Sequence, residues 1–301
     1  MTSPADALGA ETIRIREVGP RDGLQVEKPL SVEDRIRFIE ALVAAGLRTI
    51  EAVAFVSPKA VPAMADAAKV VALLPKLGGV TWVGLVPNRK GAEMALESGV
   101  DVISLTLSVS EGYNQRNVRM SVDDSVRQLG EICELTGDTP VEAVLSCSFG
   151  SPYEGDVDPA EVASVGRRCM EAGAAGLTLA DTTGMATPRR IEEVLAAVGS
   201  RVGLHLHDTR GTALLNAHTA YRCGVRDFDT AVGGLGGSPF AEGATGNLAT
   251  EDLVYLMDDL GVDTGVDLGR LLDASRLVAE LVGHPVPSRV ASAGPRLNNP
   301  G

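Results

Sequence analysis

Short runs rich in β-branched and aliphatic residues alternate with longer amphipathic stretches along the whole chain. Eight runs have the length and composition of strands, at 12–19, 48–55, 80–87, 100–107, 140–147, 176–181, 202–208 and 225–233. The stretches between them carry helix boundaries. SVEDRIRFIEALVAAG and SVDDSVRQLGEICELTG, for example, each open with Ser and acidic residues and end on Gly. This alternation is typical of a parallel α/β fold.

A repeated phrase joins the end of a helix to the next strand. A small or polar residue, then Gly, then a strand occurs in AAGLRTIEAV, ESGVDVISLT, EAGAAGLTLA and RCGVRDFDTA. We therefore predict a single (β/α)8 barrel over residues 1–301, with an ordered core at about 11–290 and an extra C-terminal helix in DLGRLLDASRLVAELVG. A doubly wound open sheet is the alternative. It is disfavoured because no GxGxxG fingerprint follows the first strand.

The composition argues against several classes of protein. A net charge of −13 over 301 residues disfavours a nucleic-acid surface, which requires clustered Lys and Arg. No run approaches the roughly 18 apolar residues of a membrane span, and the N-terminus MTSPADALGAE lacks the features of a signal peptide. The four cysteines form no CxxC pair, so a reducing compartment is expected. We therefore predict a cytoplasmic protein without nucleic-acid or membrane partners.

Charged and polar residues collect where the predicted strands end. They follow strand one, lie on strands two and seven, end strand six and close the loop after strand eight: Arg21, Asp22, Gln25, Glu51, Asp181, His205, His207, Asp208 and Asn247. In barrel enzymes the active site lies at the carboxyl ends of the strands. The sequence therefore predicts that these side chains share one face of the barrel.

The His205-Leu-His207 pair is the most informative local motif. Residues two apart on a strand point to the same side, so both imidazoles are expected to face the barrel axis. Two buried imidazoles need partners, either a metal ion or neighbouring carbonyl groups. Asp22 and Asn247 at matching strand ends favour the metal. Two His, one Asp and one Asn suit Mg²⁺ or Mn²⁺, and Zn²⁺ also fits the imidazoles.

Further roles follow for the neighbouring residues. Arg21 is predicted to stabilise a developing oxyanion; the alternative is a structural ion pair. Glu51, between apolar neighbours, is interpreted as a base or as the partner of Arg21, and Asp181 has a similar status. The glycine-rich loop 233–247 is either a set of tight turns or a mobile lid over the site.

These motifs resemble the 3-hydroxy-3-methylglutaryl-CoA (HMG-CoA) lyase family, part of a metal-dependent barrel superfamily that includes isopropylmalate and homocitrate synthases. The matching stretches run from about residue 12 to about 285: EVGPRDGLQVEK, IEAVAFVSPKAVPAM, SPYEG, LADTTGMATP, HLHDTRGTALLNA and GGLGGSPFAEGATGNLATEDLVYLM. The resemblance implies a barrel enzyme that binds an acyl-CoA and a divalent metal and cleaves a carbon–carbon bond. The fold permits a homodimer, although no residue marks an interface.

The resemblance also implies site roles, position by position. The metal ligands are Asp22, His205, His207 and Asn247. Arg21 stabilises the enolate and contacts substrate together with Gln25. Glu51 and Asp181 are active-site carboxylates, and His205 is a candidate proton shuttle. The implied reaction removes the hydroxyl proton of a 3-hydroxyacyl-CoA, breaks its C2–C3 bond and releases acetyl-CoA or a homologue with a keto acid.

Three positions depart from the family pattern. Ser238, a candidate catalytic residue, stands where these lyases generally have a Cys in the glycine-rich loop. A thiol exchanges a proton near neutral pH far more readily than a hydroxyl does. Glu142 and Val144 stand where an Arg and a Tyr are expected. An added acid near a dicarboxylate site predicts a changed substrate preference.

Two other functions remain alternatives. A Claisen-condensing acyltransferase of the isopropylmalate or homocitrate synthase type would use the same metal and Arg21; many such synthases carry an additional C-terminal regulatory domain, which disfavours this function here. A barrel scaffold that has lost its activity together with the Cys is the non-enzymatic alternative. Failure to bind any divalent ion would favour the scaffold, and consumption of a 2-oxo acid with acetyl-CoA would favour the synthase.

Overall fold

Eight parallel strands close into a barrel in the computed structural model, which describes residues 11–237 and 246–296. Neighbouring strands in the barrel are consecutive in the chain, and the last strand pairs with the first. The strands are β1 (Arg14–Glu17), β2 (Thr49–Ala54), β3 (Thr81–Val86), β4 (Val102–Ser108), β5 (Val141–Ser146), β6 (Gly176–Asp181), β7 (Gly203–Leu206) and β8 (Asp227–Thr230). Seven lie within a predicted run and β4 extends one residue beyond its run, so the eight strand predictions are confirmed.

Helices follow the strands in turn and cover the outside of the barrel. They are α1 (Val32–Ala44), α2 (Ala67–Leu73), α3 (Arg89–Ser98), α4 (Glu111–Asn117), α5 (Val122–Thr136), α6 (Pro159–Glu171), α7 (Pro188–Val198), α8 (Ala213–Arg222), α9 (Thr250–Asp259), α10 (Leu268–Val282) and α11 (Arg289–Ala293). The extra C-terminal helix is confirmed as α10, which packs on α1. The short α11 was not predicted.

The helices α1 and α5 begin at the capping residues predicted from the sequence. Ser31 and Ser121 cap α1 and α5, each accepting a hydrogen bond from the backbone N–H three residues on. The glycine that ends the helix in each copy of the repeated phrase has a positive φ, for example 106° at Gly46 and 79° at Gly99. At Gly46 a Cβ would lie 2.3 Å from the Gly265 carbonyl oxygen, so the turn into β2 requires glycine.

Apolar side chains fill the layer between the strands and the helices. Phe38 and Ile39 of α1, Ile50 of β2 and Val278 of α10 are fully buried there. This core leaves the barrel axis to polar and charged side chains, an arrangement that positions the site. Among the helices within 11–237 and 246–296, none is long and apolar enough to cross a membrane.

A buried carboxylate ties the ends of the first and last strands together. Glu17, at the end of β1, accepts hydrogen bonds from the backbone N–H groups of Gly19 and Val232 and from the Thr250 hydroxyl, at 2.6–2.9 Å. Glu251 accepts the N–H of Gly233 next to it. Burial raises the pKa of each of these carboxyls to about 7, against the opposing effect of the hydrogen bonds.

Glu17 is therefore expected to make stability depend on pH. Its pKa is 4.5 when unfolded and about 7 when folded, so the folded state binds more protons between these values. Its contribution is present below pH 4.5 and is lost as the pH rises to about 7, an effect of up to about 3 kcal/mol. The urea midpoint of the wild type should fall more between pH 5 and pH 8 than that of Glu17→Gln.

Glu93→Gln is the matched control, because Glu93 is an exposed partner of Arg89 on α3. Its pH dependence should follow the wild type. Parallel midpoint curves for the wild type and Glu17→Gln would contradict the expectation.

Candidate active site

A π-helical turn at the end of β1 presents two site residues. In this turn (Gly19–Gly23), the Val18 carbonyl oxygen accepts hydrogen bonds from the N–H groups of Arg21, Asp22 and Gly23 at 2.7–3.2 Å. Such wide turns are frequent at functional sites. The turn aims Arg21 and Asp22 over the carboxyl end of the barrel, where Asp22 is buried and the Arg21 side chain is 11% accessible.

His205 of β7 and His207, directly after the end of the strand, face each other beside Asp22. The Nε2 atoms of His205 and His207 are 3.1 Å apart, and His205 Nε2 lies 3.9 Å from Asp22 Oδ2. One ligand atom from each of the three residues lies within 4.8 Å of the others. The expectation that both imidazoles face the axis is confirmed, and the three residues form a cluster that could hold a metal ion.

Asn247 joins the cluster through the segment that follows the glycine-rich loop. This segment pairs with the end of β7, which brings Asn247 opposite His207. Its Nδ2 donates to Asp22 Oδ2 at 2.7 Å, while its buried Oδ1 accepts no hydrogen bond from the described residues. Gly236 passes so close that a Cβ would lie 2.5 Å from Asn247 Nδ2. A buried amide oxygen in need of a partner fits a cation.

Local charges prepare the cluster for a cation. Burial opposes ionisation of Asp22, but the charge of Arg21 and the two histidines outweigh it and lower the pKa to about 2. Burial likewise opposes protonation of His205, but its hydrogen bond to the Asp229 carboxylate and the charge of Asp22 raise its pKa. Asp22 is thus ionised at neutral pH.

Arg21 is held between two carboxylates. Its Nε and Nη2 atoms each lie 2.5 Å from Glu51 Oε2, and Nη1 lies 2.5 Å from Asp22 Oδ1. Of the two roles considered for Glu51, the structure brings it together with Arg21 as its partner. Gln25 lies in the same group, with its amide 3.3 Å from Asp22 Oδ1.

Asp181 ends β6 and is not one of the three clustered ligands. Its Oδ1 accepts the N–H groups of Met185 and Ala186 at 2.7 and 3.0 Å. Its Oδ2 is buried and has no partner within 11–237 and 246–296. Burial raises the pKa of this carboxyl to about 7. The predicted catalytic Ser238, in the glycine-rich loop, lies outside the described residues.

Sequence reasoning missed a second layer of charge beneath the cluster. Arg16 of β1 bonds to Asp229 of β8 and to Glu142 of β5. Glu142 is thus an ion-pair partner at 2.7 Å rather than a free acid facing the substrate. The sequence does contain a sign of this layer: charged residues alternate with apolar ones in RIR (14–16) and DFD (227–229), within two strands predicted to be buried.

The linked ion pairs of the interior carry a net negative charge. Two arginines face four carboxylates, giving −2: Arg16, Arg21, Asp22, Glu51, Glu142 and Asp229. Glu142 is one-third accessible, but the other three carboxylates are buried and outnumber the two arginines, and a cation at the cluster would offset this excess of negative charge. The donor set and the charge therefore both fit such an ion.

Comparisons with known proteins agree with this geometry. The HMGL-like family model matches residues 12–278. A 3-hydroxy-3-isohexenylglutaryl-CoA/hydroxymethylglutaryl-CoA lyase of Pseudomonas aeruginosa is 44% identical over 289 residues, covering 93% of this chain and 96% of that protein. A hydroxymethylglutaryl-CoA lyase of Bacillus subtilis is 42% identical, covering 92% and 95% of the two chains.

A solved structure of a lyase is also similar to this chain over nearly its full length. The HMG-CoA lyase of Acinetobacter baumannii, in complex with coenzyme A and 3-methylmalate, superposes with a TM-score of 0.91 at 40% identity, covering 99% of this chain and 98% of that one.

The cluster should bind a divalent ion, and Asp22 should be essential to it. Isothermal titration with Mn²⁺ should give tight binding for the wild type and an affinity more than about 100-fold weaker for Asp22→Ala, because the anionic ligand is lost. Asp273→Ala, which removes an exposed carboxylate on α10, should bind as the wild type does. Equal affinities for Asp22→Ala and the wild type would place the ion elsewhere.

Proposed function

This chain belongs to the HMGL-like family, and on that premise we propose that it is a divalent-metal-dependent carbon–carbon lyase. It cleaves HMG-CoA, or a homologue with a longer 3-alkyl branch, to acetyl-CoA and the corresponding keto acid; HMG-CoA itself gives acetoacetate. The observation that carries the proposal is the buried group of Asp22, His205 and His207 beside Arg21.

Four residues would hold the ion. Asp22, His205 and His207 supply the clustered atoms, and Asn247 supplies its unpartnered Oδ1. When bound, a divalent metal acts as a Lewis acid and template for the substrate's hydroxyl and carboxylate oxygens. Two oxygen donors and the absence of a Cys ligand among these four residues favour Mg²⁺ or Mn²⁺ over Zn²⁺.

Arg21 stabilises the developing enolate. As the C2–C3 bond breaks, its electron pair forms the enolate of the CoA thioester, and C3 becomes the ketone carbon of the keto acid. Glu51 and Asp22 fix the Arg21 guanidinium from two sides. A cation that is already oriented stabilises the new charge without reorganising, which is the condition for strong electrostatic catalysis.

Two protons must move in the reaction. One leaves the C3 hydroxyl, and one is delivered to C2 of the enolate. Asp181 is suited to accept the first, because its Oδ2 is unpartnered and its pKa, raised by burial, is about 7. Ser238 and His205 are the candidates for delivering the second. Ser238 is favoured, since His205 Nε2 faces the ion site and His205 Nδ1 is hydrogen-bonded to Asp229.

The side chains of β5 favour a broader substrate range than HMG-CoA alone. Val144 fills less space than the Tyr expected from the family, and Glu142 is engaged by Arg16. The Pseudomonas relative is named for a substrate with a long isohexenyl branch as well as for HMG-CoA. We infer that this chain also accepts bulkier 3-alkyl branches.

The compartment is inferred from the thiols. All four cysteines are free, as expected of a reducing environment. We place the enzyme in the cytoplasm, while several relatives are mitochondrial by name.

A panel of CoA thioesters tests the reaction. With Mn²⁺ or Mg²⁺, HMG-CoA and longer 3-hydroxy-3-alkylglutaryl-CoAs should yield acetyl-CoA, followed by mass. Arg21→Gln should lower kcat about 10²- to 10³-fold, because the enolate loses its cation. Cleavage of citramalyl-CoA alone would revise the substrate class. If no thioester is cleaved and the protein instead consumes a 2-oxo acid together with acetyl-CoA, the synthase alternative is established.

Asp181 gives the reaction its expected pH dependence. As a base it must be ionised, so wild-type kcat should rise with pH and level off at or somewhat below pH 7, since a bound cation lowers its pKa. Asp181→Asn should lose about 10²- to 10⁴-fold in kcat together with this acid limb. Asp138→Asn, an exposed substitution between α5 and β5, should change neither. An unaltered acid limb in Asp181→Asn would assign the proton transfer to another group.

A further inference from the structure

The strands that close the barrel carry two ion pairs of the same kind in very different settings. Arg14 pairs with Asp227, and two residues further along, Arg16 pairs with Asp229. The first pair is exposed, with 78% of the Arg14 side chain accessible, whereas the Arg16 and Asp229 side chains are 9% and 7% accessible. A buried ion pair gains little stability over apolar residues of the same size, so its presence calls for another role.

Arg16 is fixed at every nitrogen of its guanidinium. Nε and Nη2 donate to the two carboxylate oxygens of Asp229, each at 2.8 Å. Nη2 also donates to the Thr178 hydroxyl at 3.1 Å, and Nη1 donates to Glu142 Oε2 at 2.7 Å. The side chain thus reaches from β1 to β5, β6 and β8, which leaves it no second orientation.

Asp229 in turn contacts a ligand of the metal cluster, His205. Its Oδ2 lies 3.2 Å from His205 Nδ1. A carboxylate bound bidentately by Arg16 can only accept a hydrogen bond, so the proton of a neutral His205 must be on Nδ1. The lone pair is then on Nε2, the atom that faces Asp22 and His207.

We propose that Asp229 is a positioning residue for the metal centre: oriented by Arg16 and Glu142, it holds the His205 proton on Nδ1 and directs Nε2 to the ion. Glu142 then has a structural reason to be acidic, since it completes the set of acceptors around Arg16. This inference rests on the ion site of the proposed function and is independent of which acyl-CoA is cleaved.

Asp229→Asn tests the proposal because it preserves size while reversing one hydrogen bond. The Asn oxygen is required by Arg16, so its amide N–H₂ would turn to His205 Nδ1 and force the ring proton onto Nε2. Mn²⁺ affinity, measured by isothermal titration, should fall about 10- to 100-fold. Asp227→Asn changes the exposed pair on the same two strands and should bind as the wild type does.

A second measurement reads the tautomer directly. Long-range ¹⁵N–¹H spectra, both recorded without metal at a pH at which His205 is neutral, should place the His205 proton on Nδ1 in the wild type and on Nε2 in Asp229→Asn. Circular dichroism confirms that the variant is folded; if it is not, the wild-type spectrum decides alone. A proton on Nε2 of wild-type His205, or equal Mn²⁺ affinities for the wild type and a folded Asp229→Asn, would overturn the proposal. Weakened Mn²⁺ binding in a protein inactive on every thioester would sustain it and refute the proposed reaction instead.

Discussion

The bidentate pair of Arg16 and Asp229 crosses the seam where the last strand meets the first, and the interior of the barrel is arranged around it. From Arg16 the hydrogen bonds extend to β5 and β6, and from Asp229 they extend to His205. The polar axis of this barrel is therefore one connected network rather than separate ion pairs. Within such a network each group limits the orientation of the next.

Buried carboxylates are tolerated here by two different means. Near the axis they face arginines, as Glu51 faces Arg21. Outside the axis, Glu17 and Glu251 face backbone N–H groups of the turns that follow β1 and β8. The first arrangement leaves a charge that a cation can balance. The second ties together the loops that carry Asp22 and Asn247, so the position of the ligands depends on groups that touch neither ligand.

The sequence predicted the repeating architecture well because its signals are local. Strand length, a Ser before a helix and a Gly after it each act within a few residues, and the spacing of His205 and His207 is enough to place both on one side of a strand. The pairing of Arg16 with Asp229 could not be found in this way. It depends on β1 meeting β8, which is a property of barrel closure and not of either segment.

The sequence also could not predict which side chain each buried carboxylate pairs with. Glu51 was suited equally to a base and to a partner of Arg21, and only the turn at Gly19–Gly23 decides by aiming Arg21 at it. Glu142 was expected to face the substrate as a free acid, because the arginine opposite it lies 126 residues earlier in the chain. Side-chain direction in a closed barrel is set by neighbours remote in sequence.

The connections of Arg16 bear on how the molecule folds. Its partners lie 126, 162 and 213 residues away along the chain, so its bidentate pair with Asp229 can form only when all eight strands are present. Long-range contacts of this kind form slowly, since the chain between them must first be ordered. A nascent chain that lacks β8 would leave Arg16 without its bidentate partner Asp229. Completion of the barrel and completion of the site are therefore one event, and ligand geometry can serve as a reporter of the last step of folding.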